Sequence, residues 1–176
     1  ALGQRGYRVI LTEAAREFGG RVHRESQLPG LSEWRRVVDW RLTQIEKLPN
    51  VFSYLGSPMS AADVLEAGPR DVLLATGSTW RRDGIGRSSS IKLTGEYSTP
   101  LMLTPDDLMA GRLPQGRVVI YDDDHYYLGG VLAELLVEKE CSVTLVTPAP
   151  VISYWTQFTL EQERIYERLL RLGVNL

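Results

Sequence analysis

Cysteine is nearly absent from this chain: Cys141 is the only one. A single thiol cannot close an internal disulfide, and it cannot hold an iron–sulfur cluster, which takes several thiolates. It stands before an apolar run and reads as a structural thiol. Histidine is almost as scarce. His23 and His125 lie far apart with no ligand-like spacing, so no metal site is expected. No apolar run approaches the ~20 residues of a membrane helix, and the first residues carry no leader-like apolar stretch. A basic excess is missing too: 20 Lys and Arg stand against 22 Asp and Glu, a net charge of -2. No field for nucleic acid follows from that balance. No nucleophile or acid–base pair stands out, so no catalytic residue is expected. What remains is 43% hydrophobic and 24% charged, ordinary for a soluble globular chain of one domain or two small ones. The composition suits a reducing cytoplasm.

The next deficit is local. Arg117 to Tyr121 is an apolar strand, Val131 to Glu140 reads as a helix, and Ser142 to Thr147 as the following strand. Together they make a βαβ unit of ~30 residues. A dinucleotide-binding version carries G-x-G-x-x-G at its first turn, so that a pyrophosphate can approach bare backbone at a helix start. Here that turn reads Asp122-Asp123-Asp124-His125-Tyr126-Tyr127-Leu128-Gly129-Gly130. Carboxylates suit a positive helix end but repel phosphate, by ~4 kcal/mol for one pair at 4 Å and a surface-like dielectric. The usual ligand is therefore expected to be excluded. An ordinary α/β unit that never met a nucleotide is an equal reading of the turn. The three acids read as a solvated helix cap rather than a metal cluster, because consecutive residues rarely converge on one ion. Glu134 and Glu138 read as an acid pair on a solvent face.

Along the chain, Ala1 to Gly6 looks like a last helical turn stopped by Gly6. Tyr7 to Thr12 reads as a buried strand ending at Glu13. A ribose-binding acid follows its glycine motif by ~20 residues, which would put that motif before residue 1; the chain reads as a fragment. Pro29 opens a long helix to about Lys47, with Trp34, Val37, Val38, Leu42 and Ile45 on one side. Val51 to Leu55 is a short strand, Ser60 to Leu65 a short helix, and Asp71 to Ala75 a strand running into Thr76-Gly77. Ser78 to Pro100 reads as a loop or paired short strands, with a domain boundary between residues 78 and 103. Thr104 caps a short helix with Pro105 at its first position. Leu160 to Leu172 has helical spacing, Gly173 stops it, and Val174 to Leu176 begins another strand. The expected architecture is α/β, with two Rossmann-like parallel-sheet domains, 1–100 and 101–176.

Four segments together carry a family resemblance: Gly6 to Glu13, Glu17-Phe18-Gly19-Gly20, Asp71 to Gly77, and the βαβ unit after Gly116. Their order resembles the FAD- and NAD(P)-binding domains of disulphide reductases. More narrowly, with Leu28 to Trp34, Thr43 to Ile45 and Phe158 to Glu161, it resembles the C-terminal region of the trimethylamine dehydrogenase and histamine dehydrogenase family. The resemblance implies an N-terminal (β/α)₈ barrel with covalent FMN and a 4Fe-4S cluster. It implies amine oxidation, electron transfer to an electron-transferring flavoprotein, and a homodimer as the full-length protein. It further implies ADP, or FAD, in the first domain and a second domain that receives no nicotinamide.

On that resemblance, Glu13 binds the ribose hydroxyls, Gly19 and Gly20 let the chain pass close to the nucleotide, and Arg21 offsets phosphate charge. Ala75, Thr76 and Gly77 lie beside the dinucleotide, and Trp40 faces the partner. Each has a plainer reading: a solvated acid, a turn, a solvated arginine, a strand end, and an aromatic packed on its own domain. Two other functions stay open. One is an NAD(P)H-dependent flavin oxidoreductase of the dienoyl-CoA reductase type. The other is a docking module with an empty nucleotide site.

Overall fold

A computed structural model describes residues 1–91 and 101–176. The chain divides into two compact units, residues 1–27 with 31–78 and residues 28–30 with 79–176. In the first, a single 3-10 turn at Gly3–Arg5 ends on Gly6, whose φ of 86° and N–H bond to the Gly3 carbonyl stop it. β1 (Val9–Thr12) follows and pairs in parallel with β2 (Val51–Tyr54), Val9 opposite Val51 and Thr12 opposite Tyr54. β-branched and aromatic residues suit such a pleated surface. Between the strands lie α1 (Gly20–Glu25) and α2 (Arg35–Glu46), which pack on one another. α3 (Ala61–Ala67) starts at Ser60, whose hydroxyl accepts from Asp63 N–H while the Asp63 carboxylate accepts from Ser60 N–H. That reciprocal cap satisfies two helix-start donors.

The second unit opens its regular structure with α4 (Pro105–Met109), capped the same way by Thr104 and Asp107. β3 (Arg117–Tyr121) and β4 (Ser142–Val146) run parallel, and α5 (Leu128–Glu138) crosses between them. Alternate residues of β4, Val143 and Leu145, are buried, as are Leu128, Leu132, Ala133 and Leu136 of α5. With α6 (Gln162–Arg171) contributing Leu169, and with Ile152 and Val174, they form the core. Each such aliphatic side chain contributes ~1.5–3 kcal/mol by leaving water. Asn175 continues the sheet beyond β4, donating to the Val143 carbonyl at 3.0 Å and accepting from Leu145 at 2.8 Å. Cys141 is buried just before β4, its thiol 3.4 Å from the Pro114 carbonyl.

Several sequence expectations are corrected. Asp71 to Ala75 forms no strand, and Leu74 is 85% exposed. A strand needs a neighbour for its N–H and C=O groups, and among the described residues β1 and β2 pair only with each other. β1 is likewise not buried, since Ile10 faces solvent. The helix expected from Pro29 begins at Arg35, because Gly30 takes φ 73° and a 3-10 turn at Ser32–Trp34 intervenes. The helix expected from Val131 begins three residues earlier, at Leu128. The one expected from Leu160 begins at Gln162, with Leu160 left-handed at φ 59°. Of the loop or paired short strands expected from Ser78 to Pro100, residues 78–91 are loop with bends at 82–84 and 86–88; the rest, 92–100, lies outside the described residues.

Candidate functional site

Parallel α/β units bind ligands at the carboxyl ends of their strands, and each unit has such an edge. In the first, Glu13 follows β1 directly. Its N–H donates to the Tyr54 carbonyl and its carbonyl accepts from Ser57 N–H, both at 2.9 Å. One carboxylate oxygen accepts from Ala15 N–H at 2.9 Å. The acid is therefore fixed by backbone at the strand end and is half-buried. Gly19 and Gly20 precede and open α1 with φ of 115° and 47°. A β-carbon on Gly19 would stand 3.2 Å from both Val38 methyls and from His23 Cβ, so this glycine serves packing of α1 on α2 as well as the turn.

Arg21 is half-exposed and pairs with Glu25, one turn further on. Glu25 is only 2% exposed, an interior acid that the sequence reading missed; the i, i+4 spacing to Arg21 was its one visible signal. His23 lies against Arg35 and 3.7 Å from Glu17. Ala75, Thr76 and Gly77 are exposed, and none makes a hydrogen bond among the described residues. The structure thus groups Gly19 to Arg21 at α1 and places Glu13 at the strand end, but does not draw Ala75 to Gly77 toward either by hydrogen bonding. Trp40 stands on the solvent side of α2, 61% exposed.

The second edge is filled by side chains. Asp122 extends β3 by one residue, its N–H bonded to the Val146 carbonyl at 2.8 Å. It is 4% exposed, which corrects the expectation of a solvated cap. Its Oδ1 accepts from Asp124 and His125 N–H, each at 3.1 Å. Burial pushes its carboxyl above the usual carboxylate range, against the pull of those two bonds. Asp123 turns elsewhere, accepting from Ser88 N–H at 3.0 Å with both oxygens. Desolvation there is outweighed by the Ser88 and Arg87 hydrogen bonds, and its carboxyl lies below the usual range. His125, left-handed at φ 62°, is buried with Nδ1 3.2 Å from the Thr147 hydroxyl. Ser153 and Thr156 are fully buried, the Thr156 hydroxyl donating to the Ser153 carbonyl at 2.7 Å, and Trp155 between them donates its N–H to the His125 carbonyl at 2.8 Å.

Glu134 is a further correction: instead of facing solvent it is buried on α5, and Arg168 Nε of α6 donates to its two oxygens at 2.8 and 2.7 Å. Among the described residues no three His, Cys, Asp or Glu side chains gather as a metal site would. No helix among them is long and apolar enough to cross a membrane.

Comparison with known proteins follows the same lines. Residues 103–176 match the family described as the OYE-like second alpha/beta domain. Dimethylamine dehydrogenase of Hyphomicrobium sp. (strain x) is 34% identical over 99% of this chain and 25% of its own length. The structure of histamine dehydrogenase from Rhizobium sp. 4-9 is 49% identical, with a TM-score of 0.92, over 99% of this chain and 26% of that one. The structure of 6-hydroxypseudooxynicotine amine oxidase from Pseudomonas geniculata N1 is 43% identical, with a TM-score of 0.94, over the same shares. The chain spans about a quarter of the length of these relatives.

Proposed function

Because the chain is homologous over nearly its whole length to dimethylamine dehydrogenase, histamine dehydrogenase and 6-hydroxypseudooxynicotine amine oxidase, and ends in an OYE-like second alpha/beta domain, we propose that it is the nucleotide-binding region of a flavin-dependent amine dehydrogenase. The observation that carries this is Glu13: a residue whose main chain is held by Tyr54 and Ser57, and whose carboxylate accepts from Ala15 N–H, at the carboxyl end of a parallel strand. A carboxylate so placed accepts from ribose hydroxyls. ADP, or the ADP half of FAD, is its ligand. The residues present fit that group in part: Glu13 suits the ribose, and the positive φ of Gly19 and Gly20 brings backbone, rather than side chain, to the nucleotide side of α1. Arg21 adds positive charge there, and Ala75 to Gly77 pass beside the nucleotide in the full protein, in a Rossmann-like sheet of the disulphide-reductase kind.

FMN and a 4Fe-4S cluster belong to a barrel outside these residues and supply the redox chemistry when bound. This chain's part is to bind, to position and to dock. Trp40, standing clear of α2, is the contact for an electron-transferring flavoprotein, and the full-length protein is a soluble homodimer. A nicotinamide-dependent function fits less well, since Asp122 takes up the turn where a pyrophosphate would lie.

In the full-length protein, Glu13→Ala is expected to weaken ADP at least about tenfold by equilibrium titration, the loss of one charge-assisted hydrogen bond of ~1.5–3 kcal/mol. Unchanged affinity rejects the ribose role. Trp40→Ala is expected to slow reduction of the flavoprotein acceptor several-fold, while turnover with a small artificial acceptor stays normal; equal rates with both acceptors reject the docking role.

A further inference from the structure

Asp122 does more than end a strand. A β-carbon built on Gly129 would fall 2.8 Å from Asp122 Cγ and 3.0 Å from its Oδ2. Only glycine leaves room for the carboxyl against the first turn of α5, a helix of eleven residues. Oδ1 occupies the N–H groups of Asp124 and His125. Turn donors of this kind, between a parallel strand and its helix, are what such a turn offers to a bound phosphate. Oδ2 is buried and has no partner among the described residues.

A second oxygen is idle at the next residue of the helix start. The Ser153 hydroxyl is fully buried, has no partner among the described residues, and lies 3.7 Å from a β-carbon built on Gly130. One buried, unbonded oxygen thus stands against Gly129, and another lies near Gly130, where Ile165 Cγ2 at 3.2 Å and Leu169 Cδ1 at 3.6 Å are closer. Buried polar atoms are rarely left unbonded. Asp123 is not part of this arrangement, since its carboxylate is held by Ser88 N–H.

We propose that Asp122 is a built-in occupant of an anion site: its carboxyl stands where a pyrophosphate group would rest against Gly129 and the N–H groups of Asp124 and His125. Occupancy by this one side chain, rather than the summed charge of the three aspartates, keeps the second unit closed to phosphate-bearing ligands. The inference concerns the second unit and does not depend on ADP binding in the first.

The test uses the full-length protein and calorimetric titration with inorganic pyrophosphate, and separately with NADPH, which carries that group. The wild-type titration accounts for any binding elsewhere. Asp122→Gly is expected to bind pyrophosphate at least about tenfold more tightly than the wild type, because the N–H groups of Asp124 and His125 become free to donate to it. Asp122→Asn keeps the volume and loses the charge, and is expected to stay as weak as the wild type, as is Asp123→Asn. A gain for either ligand in the glycine variant supports the proposal. A gain in Asp122→Asn equal to that in Asp122→Gly overturns it in favour of simple repulsion, and no gain in a folded glycine variant overturns it outright. Should Asp122→Gly fail to fold, Asp122→Ala takes its place in the titration. A ligand-free measurement adds to this: Gly129→Ala is expected to lower the melting temperature more in the wild type than in the Asp122→Ala background, where only the Asp122 Cβ, 3.0 Å away, still meets the new methyl. Equal losses in the two backgrounds place the carboxyl elsewhere and overturn the proposal.

Discussion

Asp107 shows how much one side chain can hold. It closes the cap of α4 through Thr104 and receives both Arg82 and Thr104. The Arg82 hydrogen bond first, then the Thr104 backbone, bring its carboxyl from 3.8 down to about 2. A folded value below the unfolded one contributes stability that is present above pH ~4 and lost as pH falls through about 2. Asp107→Asn is therefore expected to flatten the acid limb of the melting curve in that window, and an unchanged limb removes Asp107 as its cause. Asp122 works with the opposite sign. Its folded value is raised by burial, so its contribution is complete below the usual 3.8 and declines as pH rises through the raised value. Asp122→Asn is expected to gain stability over the wild type as pH climbs from 4 to 8; a constant difference across that range contradicts the burial cause. Gly19→Ala places a β-carbon against Val38 at a φ of 115°, and a cost of ~1–3 kcal/mol in urea unfolding is expected. The caps at Thr104 and Gly6 were readable in the sequence because every partner lies within a few residues. Glu25, Asp122 and Glu134 read as solvent-facing or passed unremarked, because burial is decided by packing that no local window contains.

At the scale of elements, strands and helices with strong local punctuation were legible: β1 to β4, α3, α4 and the Gly173 stop all lie near their expected places. The misplaced ends share a cause. α5 begins at Leu128 because Gly129 and Gly130, poor helix residues in isolation, pack against Asp122 and Ser153. Asp71 to Ala75 has the composition of a strand and, among the described residues, no strand beside it. The tie between α5 and α6 was invisible in sequence, since Glu134 and Arg168 are 34 positions apart. Arg168 is itself largely exposed, so removing it costs less than breaking a fully buried pair at ~3–5 kcal/mol. Arg168→Ala is expected to cost about 1–3 kcal/mol by denaturant unfolding, with Glu134→Gln in the same background recovering part of it. No recovery would show that the loss is packing alone.

For the whole molecule, two units each rest on a pair of parallel strands, with Asn175 adding a bridge in the second. Small parallel sheets are stable when covered on both faces, and much apolar surface here faces outward, including Leu65, Leu73, Leu74, Phe158 and Leu160. The 176-residue chain by itself is expected to bind a hydrophobic dye such as ANS several-fold more strongly, per mole, than a compact protein of its size. Dye binding at background level would mean that this surface is covered by rearrangement or self-association. The likeness to amine dehydrogenases was legible through short motifs combined in order, and the α/β class through periodicity. The burial of Asp122 at the second edge was not visible, because a sequence shows three acids and not which of them folds inward.

The lone Cys141 makes the chain its own clock. Its thiol is buried where β4 begins, against the Pro114 carbonyl, so a thiol reagent reacts only when that corner of the second unit opens. No engineered label is needed, because no second cysteine competes. In the isolated chain, the labelling rate divided by that of a free thiol gives the opening equilibrium directly, as amide exchange does for backbone. Mutations at Arg168 or Gly129 can thus be followed one opening at a time, under conditions where the fold never melts.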